Sequence, residues 1–64
     1  MKYTNSQIRE VIAEHIHKKR DREVLLRFYA DKITQEKIAE EFQMSVRGIQ
    51  YIIARTRETI ADNL

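Results

Sequence analysis

Sixty-four residues, 42% apolar and 34% charged, make one small domain spanning 1–64, with no composition shift, linker or internal repeat to divide it. The absence of cysteine excludes a disulfide framework and a zinc site built on thiolates. Twelve lysines and arginines against ten acids leave a formal charge of +2, and no apolar run nears the ~18 residues of a membrane span or forms a signal-peptide core. The expectation is a soluble cytoplasmic protein with no membrane partner, no cofactor and no metal. So short a chain buries only about 60% of its unfolded surface, so it must rely on helix packing or on a partner subunit.

Zero prolines, a single glycine and no strict apolar alternation point to helices with tight connections. After a lead-in over Met1–Thr4, Asn5 or Ser6 can cap a first helix running to about Lys18. Its inward stripe is Ile8, Val11, Ile12, His15 and Lys19, with Ile16 beside it. His15 falls in that stripe and is expected to be partly buried, while His17 points away. Histidines at i, i+2 diverge on a helix and cannot share a metal ion.

Asp21 suits the N-cap of a second helix, with Glu23 in its first turn. Val24, Leu25, Phe28 and Tyr29 give that helix a broad apolar face, and Leu26 extends it, as in a helix that touches several neighbours. Asp31-Lys32-Ile33 is a short connection with Ile33 tucked under the next helix, which Thr34 caps.

The stretch from Thr34 to Ala54 organises the rest. In its first helix Ile38, Ala39 and Phe42 form a narrow buried stripe opposite Glu36, Glu40 and Glu41. Gln43-Met44-Ser45 turns the chain, Met44 pointing inward and Ser45 capping a fourth helix that runs to about Ala61. At about 100° per residue, Ile49, Ile52, Ile53, Thr56 and Ile60 share one side of it. Arg47, Tyr51, Ala54 and Glu58 lie opposite, with Gln50 and Arg55 at the borders. Folding does not ask for a tyrosine opposite the core. Donors, acceptors and one flat ring on an outer face suit base edges and phosphates. The pattern is an all-α, small four-helix (tetrahelical) helix-turn-helix bundle whose second motif helix reads double-stranded DNA.

Charge placement agrees with that reading. Lys18, Lys19, Arg20 and Arg22 crowd one junction with only Asp21 among them, and Ser45–Arg57 holds three arginines and no acid. Such asymmetry presents a basic surface to a polyanion. The bland alternative is a set of ordinary solvated helix faces. Val46, Ile53 and Leu64 line one edge of the core stripe, which either stays uncovered as a dimer or partner surface or is covered by the first helix.

From Asp21 onward the chain resembles the C-terminal helix-turn-helix, region four, of bacterial sigma factors and their phage-encoded relatives. The residues that carry the resemblance are the block Val24-Leu25-Leu26-Arg27-Phe28-Tyr29, then Thr34-Gln35-Glu36 and Ile38-Ala39-Glu40, then Phe42, Ser45, Ile49 and Ile52. The DNA-binding domain of four-helix response regulators is similar in the same positions. The family's usual Gly is replaced by Gln43 in the motif turn and by Ile33 before the capping Thr, and Gly48 lies inside the reading helix. With no other sigma region in the sequence, the expectation is a free-standing transcription regulator of bacterial or phage origin. The resemblance implies base contacts from Val46, Arg47, Gln50 and Tyr51. It implies backbone contacts from Thr34, Gln35, Lys37, Ser45 and Arg55. Val46 stands where the family often has arginine, so it suits a thymine methyl rather than guanine.

A module this small makes a modest interface, so a homodimer on a two-fold site is expected. The competing class is a protein-interaction module that docks on RNA polymerase or a sigma factor without reading DNA. Catalysis is not expected: there is no cysteine nucleophile, no Gly-rich phosphate loop and no histidine pair at ligand spacing, and Ser6 and Ser45 read as caps.

Overall fold

A computed structural model describes residues 3–64; Met1 and Lys2, the start of the expected lead-in, lie outside the described residues. Four helices and no strand occur among them: α1 (Asn5–His15), α2 (Lys19–Leu25), α3 (Gln35–Phe42) and α4 (Val46–Asp62). α2 runs on into a π-helical stretch, Leu26–Ala30. The fold is all-α, a small four-helix bundle, and no described helix is long and apolar enough to cross a membrane.

α1 starts one residue earlier than the sequence suggests, because Thr4 and not Asn5 or Ser6 is the cap. The Thr4 hydroxyl accepts from the Gln7 N–H at 3.2 Å, and the Gln7 side-chain oxygen accepts from the Thr4 N–H at 2.9 Å. That reciprocal box needs a Glu or Gln three residues after the cap, which Thr4 has and Asn5 does not. The helix also stops at His15, short of Lys18. Ile16 is extended (φ −108°, ψ 113°) and swings into the core, so Ile8, Ile12 and Ile16 are all buried. The chain turns away immediately after His15, which leaves that residue exposed, as is Lys19, rather than in the inward stripe.

α2 begins three residues earlier than a cap at Asp21 would place it. Lys18 occupies the cap without a side-chain hydrogen bond, and Asp21 is buried (2% exposed) against Arg55 of α4. A carboxylate with a guanidinium partner 34 positions away is not available to its local N–H groups. In the π-helical stretch Asp31 N–H donates to the Leu26 carbonyl at 3.1 Å, and Ile33 N–H reaches the Arg27 carbonyl at 2.9 Å. Arg27 then pairs with Glu41 at 2.8 Å and lies over the Phe42 ring at 5.0 Å, tying this stretch to α3.

Among the described residues twelve apolar ones are buried, eight of them isoleucines: Ile8, Ile12, Ile16, Ile38, Ile49, Ile52, Ile53 and Ile60. Each contributes roughly 1.5–3 kcal/mol of burial relative to exposure. Phe28 and Tyr29 sit half-buried beside this core, edge to face at 4.9 Å, and Ile33 also packs on it from the rim. Ile53 is 4% exposed, so the edge through Val46, Ile53 and Leu64 is closed at its centre. Val46 packs against the core and only Leu64, at the chain end, is open.

Candidate nucleic-acid interface

α3 and α4 are joined by three residues, Gln43-Met44-Ser45. Gln43 adopts a left-handed conformation (φ 54°, ψ 44°), and the Met44 N–H donates to the Ala39 carbonyl at 2.9 Å, closing the end of α3 in a Schellman arrangement. Lys32, ahead of the Thr34 cap, is the other left-handed residue (φ 60°), one position before Ile33. Both turns therefore take the geometry glycine favours, without glycine.

Thr34 and Ser45 cap their helices: the Thr34 hydroxyl accepts from Lys37 N–H at 3.3 Å, and the Ser45 hydroxyl accepts from Gly48 N–H at 3.1 Å. In α3 this leaves the Gln35 and Glu36 N–H groups, in the first turn, without intrahelical partners by helix geometry. Gly48 gives Met44 room to fold back over α4. A methyl group at Gly48 would lie 3.2 Å from Met44 Cε and 3.4 Å from Ser45 Oγ.

With Ile49, Ile52, Ile53, Thr56 and Ile60 enclosed, the opposite side of α4 faces outward. Thr56 is accommodated among the isoleucines because its hydroxyl donates back to the Ile52 carbonyl at 2.9 Å. Arg47, Gln50, Tyr51, Ala54 and Glu58 are exposed, Tyr51 to 64%. Of the four positions implied for base contact, Arg47, Gln50 and Tyr51 thus share one open face. Val46 is half-buried at its edge and presents only part of its side chain.

Two tethers flank this face. On one side the Gln50 amide Nε2 donates to Gln35 Oε1 at 3.1 Å, linking this face to the first turn of α3. Thr34 and Lys37 are exposed beside it. On the other side Arg55 is held by the buried Asp21 carboxylate, and its guanidinium lies 5.5 Å over the Tyr51 ring. Arg20 Nε stands 3.6 Å from the second oxygen of Asp21. Arg55 is therefore engaged internally, and only the 40% of it that is exposed addresses solvent.

Neither tether was visible in the sequence. Gln35–Gln50 joins two residues singled out separately, 15 positions apart, and Asp21–Arg55 joins residues 34 apart. A charge placed opposite a buried stripe carries no mark of its partner.

Comparison of the chain with protein-family models, with curated proteins and with solved structures gives no match. Function is accordingly read from the chemistry of this face.

Proposed function

We propose that the chain is a sequence-specific DNA-binding transcription regulator that lays α4 in the major groove. The observation that carries this reading is the grouping of Arg47, Gln50 and Tyr51 on the open face of a helix whose other side is sealed by isoleucines. Arginine presents two donors to the O6 and N7 of guanine, and glutamine matches the N6 and N7 of adenine. The Tyr51 ring, steadied by Arg55, offers a flat apolar surface to a thymine methyl. Lys37, the first turn of α3 with Thr34 and Gln35, and the Ser45 end of α4 supply contacts to phosphate. The motifs that resemble sigma region four support the same assignment, and a regulator of that kind works in the cytoplasm. Two copies on half-sites about 34 Å apart would give a tighter complex than one module.

The interaction-module reading rests on an uncovered apolar edge and on the small net charge of +2; burial of Ile53 closes the centre of that edge, and the charge still allows the reading. No catalytic role is proposed.

The test is selection from a randomised duplex pool followed by fluorescence anisotropy on the selected site. Arg47→Ala and Gln50→Ala are each expected to lose about 1–3 kcal/mol of discrimination at one base pair. Wild-type affinity in both variants would overturn the proposal.

A further inference from the structure

We infer that the link between α1 and α2 carries a second phosphate-binding strip, which grips the DNA backbone across the groove from α3; this rests on the DNA-reading role proposed for α4. Gln50 and Arg55 are five residues apart on α4, so they point about 140° from one another around the axis and about 7.5 Å apart along it. Gln50 leans to α3, through Gln35, and Arg55 leans to the start of α2, through Asp21. The reading face therefore has a shoulder on each side. A major groove about 12 Å wide has a phosphate backbone on each side as well.

The shoulder at α2 is built for anions. A shallow concavity of about 350 Å³ between the α1–α2 link and the second half of α4 is lined by His15, His17, Lys18, Arg55 and Thr59, with the buried Asp21 among them. Burial of Ile16 fixes the link and turns His15 and His17 outward. Asp21 does not spoil the site, because Arg55 neutralises it and Arg20 stands beside it. Lys18 forms no ion pair among the described residues, and Arg20 is 58% exposed. Lys19 and Arg22 come from the same run of sequence but line a different groove, with Ile12, Glu23 and Leu26. One basic run is thus sorted into two directions: Lys18 lines the concavity with Arg55, and Arg20 joins them at its edge through Asp21.

The two directions make the test. Binding of the full chain to its selected duplex is followed by anisotropy from 50 to 200 mM salt. Lys18→Gln/Arg20→Gln is expected to flatten the slope of log K against log salt by about 1.8, two phosphates at about 0.9 each. Base preference should stay that of the wild type. Lys19→Gln/Arg22→Gln, with the same change in net charge, should leave the slope intact. Equal flattening in both double variants would reduce the strip to an effect of net charge and overturn it. An unchanged slope in Lys18→Gln/Arg20→Gln, with wild-type binding intact, would overturn the strip and spare the reading role of α4. A wild-type chain that fails to bind any duplex at 50 mM salt would remove both.

Discussion

The two tethers beside α4 differ in what breaking them costs. Gln35 and Gln50 are neutral amides at the surface, and water replaces either partner with little loss. Asp21 and Arg55 are charged, and the carboxylate is buried, with one of its oxygens lacking a hydrogen-bond partner among the described residues. Without Arg55 the buried carboxylate loses its hydrogen bond and keeps only Arg20, whose Nε stands 3.6 Å away, as counter-charge. Gln50 can therefore leave its neighbour for a base edge, whereas Arg55 stays where Asp21 holds it. One tether sets where Gln50 points; the other holds α4 against α2.

The largest expected effect strikes the second tether. Arg55→Ala should destabilise the domain by about 3 kcal/mol, the low end of the range for breaking a buried ion pair, because Arg55 is itself 40% exposed and Arg20 stays beside the carboxylate. Asp21→Ala should cost less, since the released guanidinium already has access to water. Urea denaturation of the two variants gives the order directly. An Asp21→Ala variant less stable than Arg55→Ala would contradict the contrast.

A middle-sized effect concerns the turn that spaces α3 from α4 and so sets the amide pair. Gln43→Gly should raise stability by about 1 kcal/mol, because glycine meets no Cβ penalty at φ 54°. In a domain of this size that appears as a rise in Tm of about 4–8 °C. An unchanged Tm would mean that the left-handed turn carries no strain.

The smallest effect sharpens the first tether. Gln35→Ala should alter stability by no more than about 0.5 kcal/mol, as for other surface positions. On the proposed function, DNA affinity should fall by less than in Gln50→Ala, since Gln50 stays available to a base and only its pairing and one proposed phosphate contact are lost. Equal loss in Gln35→Ala and Gln50→Ala would mean that the phosphate contact proposed for Gln35 outweighs any orienting role of the amide pair.

Legibility in the sequence followed the range of the interactions. The apolar periods of α3 and α4 and the Thr34 and Ser45 caps are local, and they were placed correctly. The outer face of α4 follows from an advance of about 100° per residue alone. The start of α2 was misplaced because Asp21 has the chemistry of a cap and is used instead as a distant counter-charge. His15 was drawn inward by continuing a helical period past the residue where Ile16 breaks it. The π-helical stretch has no periodic signature over five residues, and Arg27 gave no hint of its bond to Glu41.

The predominance of isoleucine in the interior affects how firmly so small a domain selects one arrangement. A β-branched side chain in a helix already favours one χ1 well, at roughly 90% occupancy, before any neighbour arrives. Freezing it costs about 0.5–1 kcal/mol, less than the 1.5–2 kcal/mol of a long flexible side chain such as methionine. Seven such wedges, with Ile16 added from the link after α1, leave few alternative ways for the helices to interlock. The face that α4 turns outward is thus set by the stiffness of the residues hidden behind it.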